Sequence, residues 1–139
     1  MTANYQRFFQ IQGQDAAQYL DMMTDAQLDQ VPFGLIKLDP NAKIMRYNRV
    51  EGEITGRDPK YVIGRNFFLD LAACGVGPMF WGRFKQGIMK PTYDEIFPYV
   101  YYHEMPETAM LVRMTLSRVV GERAMWVMAR RIMPTAQSQ

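Results

Sequence analysis

Five side chains near the middle of the sequence have the types and spacing to do chemistry together: Tyr47, Glu51, Thr55, Arg57 and Cys74. Cys74 is the single cysteine and His103 the single histidine. One thiol cannot close an internal disulfide, and one cysteine with one histidine cannot build an all-protein zinc site of the Cys/His kind. Any chemistry at Cys74 is therefore that of a single thiol. A lone cysteine is equally at home as a small buried hydrophobe. Tyr47, Glu51 and Thr55 recur every four residues, so a turn of helix could bring them to one pocket. Buried there, the Glu51 carboxyl would keep its proton and donate a hydrogen bond; at the surface it is an ordinary solvated carboxylate. Arg57 reads equally well as a surface charge, and Thr55 as a helix-end hydroxyl.

The flanking segments must hold these groups in place. Residues 1–31 are polar and Gln-rich and predict a small helical cap, with Ala17, Tyr19, Leu20 and Met23 on one face. Thr24 ahead of Asp25-Ala26-Gln27-Leu28 reads as an N-cap, with Gln27 completing a capping box. Phe33 to Asp39 reads as a strand, Pro40-Asn41-Ala42 as a turn and Lys43 to Asn48 as its hairpin partner. Short helical turns follow to about residue 76, broken by Gly52, Gly56, Pro59 and Gly64. Pro78 can open a helix whose Phe80, Phe84 and Ile88 share a face.

Three more strands close the chain: about Glu95 to Glu104, Thr108 to Arg118 and Ala124 to Ile132. Pro98 cannot donate to a ladder, which puts the first of them at a sheet edge. Met110, Val112, Met114 and Leu116 alternate onto one face of the second, and Gly121-Glu122 turns into the third. The order predicts an α+β fold of PAS type: a five-stranded antiparallel sheet with helices over one face. The expected organisation is a cap over 1–31, a PAS domain with its pocket over 32–132 and a loose tail over 133–139.

Composition narrows the function. With 139 residues the chain has room for one domain. Sixteen basic residues against fourteen acidic ones, mostly scattered singly, argue against nucleic acid as a partner. No signal-like start and no apolar run of membrane-spanning length predict a soluble, cytoplasmic protein without a membrane role. A monomer with no bound metal is expected.

The stretches Tyr47-Asn48, Glu51-Gly52-Glu53-Ile54-Thr55-Gly56-Arg57-Asp58-Pro59 and Val62-Ile63-Gly64-Arg65-Asn66-Phe67-Phe68, leading to Cys74, carry a more specific signal. With Phe33-Gly34 and Trp126-Val127 they resemble the photoactive yellow protein family, the xanthopsins, over about residues 25 to 132. The resemblance implies 4-hydroxycinnamic acid (p-coumaric acid) held as a thioester on Cys74. It implies that Tyr47 and Glu51 hold the phenolate end, that Thr55 supports Tyr47, and that Arg57 screens the ring from solvent. Phe67, Tyr99, Tyr101 and Met105 fall on pocket positions, with Met105 matching a residue that speeds return to the dark state.

In such a cycle blue light isomerises the pigment and Glu51 gives up its proton. The charge left behind loosens the N-terminal cap, and a downstream signalling protein, not specified by the sequence, reads the change. No kinase, DNA-binding or cyclase segment lies within these residues, so the signal is expected to leave by contact. Ala73, Gly75, Pro98, Tyr101, His103, Glu104 and Pro106 depart from the best-known members and bear on colour and timing. The alternative is a PAS-type ligand- or protein-binding module without pigment. A thiol enzyme ranks last, because no pattern ties His103 to Cys74 as a base.

Overall fold

A computed structural model describes residues 8–71, 78–101 and 108–132. The elements are α1 (Gly13–Asp21), α2 (Asp25–Leu28), β1 (Gly34–Leu38), β2 (Ile44–Tyr47), α3 (Arg49–Thr55), α4 (Pro59–Val62), α5 (Arg83–Gly87), β3 (Asp94–Tyr101), β4 (Thr108–Leu116) and β5 (Met125–Arg131). The five strands form one antiparallel sheet in the order β2-β1-β5-β4-β3. Pro98 lies on β3, which pairs only with β4 and so forms an edge, as its missing N–H requires.

Both faces of the sheet are covered, not one. The reason lies in β1 and β5, where Gly34 to Leu38 and Met125 to Ala129 are buried at every position. A strand buried without alternation has a layer on each side. Ile36, Leu38, Met125, Val127 and Ala129 enter one core with Met110, Val112, Met114 and Leu116 of β4. Leu35, Trp126 and Met128 point the other way, against Phe8, Ala16, Ala17, Leu20, Leu28 and Val31 of the N-terminal cap.

The cap is built much as its sequence suggests. Thr24 Oγ1 accepts from Gln27 N at 3.2 Å, and Gln27 Oε1 accepts from Thr24 N at 2.8 Å. Tyr19 departs from expectation: it is 56% exposed, while Ala16 takes the inward place. At 3.6 residues per turn, Tyr19 falls roughly 100° from the centre of the Ala16, Ala17, Leu20 stripe. Polar clamps then pin the cap to the sheet. Asp21, the last residue of α1, accepts from Trp126 Nε1 at 2.7 Å, Ser117 Oγ at 2.9 Å and Arg118 N at 2.6 Å. Buried Arg113 donates to Phe8 O at 2.8 Å and forks onto Asp94 at 2.7 and 2.6 Å.

On the opposite face, Phe67–Leu71 and Pro78–Gly82 each form a π-helical turn, the second running into α5. Phe80, Phe84 and Ile88 are buried there together, as their spacing predicts, although the first turn is π and not α. Among the described residues no helix is long and apolar enough to cross a membrane.

Asn48 joins the two sides. It caps α3 and is 2% exposed. Its Oδ1 accepts from Leu35 N at 2.9 Å and Glu51 N at 3.0 Å. Its amide nitrogen donates to Leu28 O at 2.9 Å and Phe33 O at 3.0 Å. All four side-chain positions are thus committed, which is how a buried amide becomes affordable. Loss of the cap costs ~1 kcal/mol, and leaving buried backbone groups unmet adds ~1–3 kcal/mol. Asn48→Ala should therefore lower unfolding free energy by about 2–4 kcal/mol in urea titration. Thr24→Ala, which removes an exposed cap, should cost ~1 kcal/mol.

Candidate functional site

The candidate site starts where β2 hands over to α3. Tyr47 closes the strand and is buried, while α3 places Glu51 and Thr55 one turn apart on the sheet-facing side. Tyr47 Oη and Thr55 Oγ1 lie 2.8 Å apart, and Thr55 Oγ1 also donates to Glu51 O at 2.9 Å. Three oxygens are therefore linked through Thr55, whose single proton can face the Glu51 carbonyl or Tyr47. If it turns to Tyr47, the phenol proton of Tyr47 can point elsewhere. The pairing of Tyr47 with Thr55 is the one the spacing suggests, although Tyr47 reaches it from a strand.

Glu51 is the least ordinary residue of the group. It is 4% exposed, and its Oε1 has no hydrogen-bond partner among the described residues. Burial pushes its pKa from 4.5 up to about 7, because the charged form loses its hydration. The carboxyl fits only because β1 begins with Gly34: a methyl group there would overlap Glu51 Oε1. Gly52, one residue on, plays a second steric part, since a Cβ on it would meet the Arg57 carbonyl oxygen at 2.6 Å. The chain can thus turn sharply after Gly56, whose φ of 74° ends α3.

That turn directs Arg57 across the neighbouring segment, where Nη2 donates to Leu71 O at 3.1 Å. Arg57 therefore ties the end of α3 to the π-helical turn that precedes Cys74 in the sequence. Phe67 from that turn and Tyr99 from β3 both meet Phe80, with ring centres 5.7 and 5.0 Å away and edge-on geometry. They belong to one aromatic wall. Tyr101 ends β3, but its side chain is outside the description, and Cys74 and Met105 lie outside the described residues, as do Ala73, Gly75, His103, Glu104 and Pro106. Among the described residues no group of three or more His, Cys, Asp or Glu could hold a metal ion.

Two positions among the stretches that carry the family resemblance have structural roles their sequence context signals. Gly34 interrupts an otherwise apolar strand, which is a sign of close approach by another group. Asn48 stands three residues before Glu51 at a strand-to-helix junction, the N-cap pattern.

The described groups therefore comprise a buried acid whose proton is held towards neutral pH and, linked to its backbone carbonyl through Thr55, the phenol of Tyr47.

The raised pKa has a consequence for the unpigmented chain. Below pH 4.5 Glu51 is protonated folded and unfolded, so its neutral burial carries no ionisation penalty. As pH rises from 4.5 to about 7 the unfolded chain ionises first and stability falls. The total loss is about 3 kcal/mol, complete above pH 7. Glu51→Gln should remove that decline in urea titrations run across this range; an identical pH dependence in both proteins would contradict a buried acid. Gly34→Ala should cost ~1–3 kcal/mol by overpacking in the same assay.

The chain is similar to known proteins over most of its length. It is 40% identical over 118 residues to the photoactive yellow protein of Halochromatium salexigens, spanning 85% of this chain and 93% of that one. Among solved structures, the photoactive yellow protein domain of the sensor histidine kinase Ppr from Rhodospirillum centenum superposes with a TM-score of 0.75 at 38% identity, over 79% of this chain and 95% of that one. The PAS domain of an HTR-like protein from Haloarcula marismortui shares the fold, with a TM-score of 0.58 at 20% identity, over 78% and 93% of the two chains. No protein-family model matches.

Proposed function

Because the chain belongs to the photoactive yellow protein family, we propose that it is a blue-light photoreceptor carrying p-coumaric acid as a thioester on Cys74. The observation that carries this reading is Glu51: a buried carboxyl with one oxygen unclaimed among the described residues and a pKa raised to about 7. A surface-type carboxylate would gain nothing from such a place. A protonated acid waiting for an anionic acceptor would.

When bound, the p-coumaroyl group supplies blue absorption, a double bond that light can isomerise, and a phenolate that accepts hydrogen bonds and a proton. Tyr47 and Glu51 donate to that phenolate end, and Thr55 supports Tyr47 through the hydrogen bond they share. Arg57, Phe67, Tyr99 and Tyr101 enclose the ring, and Met105 assists the thermal return. In the dark Glu51 holds its proton, because ionisation in a dry site is expensive.

In the light Glu51 gives that proton up. Its carboxylate then sits against the Gly34 backbone as a buried charge without a partner, and an uncompensated buried charge is strongly destabilising. The nearest structural element to yield is α3. Its Glu51 N–H rests on Asn48, and the same Asn48 side chain holds Leu28 O, at the end of the cap. Loss of order at α3 therefore loosens the cap from the sheet and changes the face offered to a downstream signalling protein. No substrate is turned over; the cycle is a conformational switch.

The test is to mix the apoprotein with activated 4-hydroxycinnamic acid and record intact mass and visible spectrum. One adduct per chain is expected, coloured, bleached by blue light and absent in Cys74→Ser. A chain that takes up no adduct would be a PAS module without pigment, and steady release of hydroxycinnamate would mark a thiol enzyme.

A further inference from the structure

A large cleft lies away from the Glu51 site. It measures about 770 Å³ and sits between the start of α1, the loop from α5 to β3 and the hairpin joining β4 to β5. Its volume is within the ~300–1,000 Å³ typical of small-molecule sites.

The charges around the cleft do not cancel. Its three carboxylates are already committed to cations: Glu95 to Arg83 at 2.7 Å, Asp94 to Arg113 at 2.6 Å and Glu122 to Lys37 at 2.5 Å. Three lining cations remain, Lys90, Arg118 and Arg123, all exposed and none within ion-pair distance of a carboxylate among the described residues. They come from two separate segments, so the tertiary fold brings them to one concavity. Arg123 is also oriented: its Nη1 donates to Lys90 O at 2.6 Å, which fixes the guanidinium on the wall. A held guanidinium presents its remaining donors as a fork, the geometry that suits phosphate oxygens.

The cap contributes as well. Gln12 and Gln14 line the cleft, and α1 begins at Gly13 without a side-chain cap on Gln12.

We infer that this cleft binds a small, multiply charged anion of the organic-phosphate class, held by Lys90, Arg118 and Arg123 and bridging the N-terminal cap to the sheet. The assignment does not rest on the photoreceptor reading. It stands or falls on unpigmented protein kept in the dark. Because the ligand would touch both α1 and the β4–β5 hairpin, its binding is coupled to cap docking: each favours the other.

Calorimetric titration of the full chain at low ionic strength tests this, with inorganic pyrophosphate, ATP and adenosine as separate probes. Saturable one-to-one binding of pyrophosphate and ATP is expected, with none for adenosine. Arg118→Ala and Arg123→Ala should each weaken it at least about tenfold. Lys60→Ala, on an exposed residue outside the cleft, should leave it unchanged. Both arginines are exposed, so the variants should fold, and circular dichroism checks that they do. Amide exchange over residues 13–21 should slow when pyrophosphate is bound. No saturable binding would overturn the assignment. So would adenosine binding as well as ATP, equal weakening by Lys60→Ala, or α1 exchange that ignores the ligand.

Discussion

The placing of one carboxyl group in a dry site governs much of this molecule. Glu51 is held with one oxygen unclaimed among the described residues, in space that exists only because Gly34 has no side chain. A charged group there would lose its hydration without gaining a partner, so the neutral form persists to about pH 7. Asn48 fixes the start of α3, Tyr47 and Thr55 hold the adjoining oxygens, and Gly52 lets the chain fold back so that Arg57 can cross to Leu71.

The same placement makes the sheet more than a support. β1 and β5 are buried on both sides, so the N-terminal cap and the pocket layer share one wall, and Leu35, Trp126 and Met128 face the cap while their neighbours face the pocket. The cap is attached by hydrogen bonds and ion pairs as well as by apolar contact: Asp21 to Trp126, Ser117 and Arg118, Lys37 to Asp21 and Glu122, and Arg113 to Phe8. Such attachments are directional and break together once geometry is lost. An apolar interface would slide instead.

Much of this was legible in the sequence because the signals were local. The alternation of Met110, Val112, Met114 and Leu116 marks one face of β4, Pro98 marks the edge, and Thr24 with Gln27 marks the start of α2. Phe80, Phe84 and Ile88 announce a buried face through a spacing that survives a π-helical first turn. The spacing of Tyr47 and Thr55 brings their hydroxyls together, although Tyr47 reaches Thr55 from a strand and not from the helix. What escaped was non-local. Gly34 and Glu51 are seventeen positions apart, so nothing near either predicts their contact. The cap's place on the second face of the sheet is hidden in the sequence because the continuous burial of β1 includes a lysine, Lys37, whose partners come from the end of α1 and the β4–β5 hairpin. Tyr19 was misplaced because a four-residue stripe starting at Ala17 and one starting at Ala16 differ by one residue's rotation.

The proton on Glu51 can be observed directly. Light-minus-dark infrared difference spectra of the pigmented protein should show loss of a protonated carboxyl C=O stretch, shifted in D₂O and absent in Glu51→Gln. A spectrum with no such loss, or one in which the band survives in Glu51→Gln, would contradict a buried acid that gives up its proton in the light.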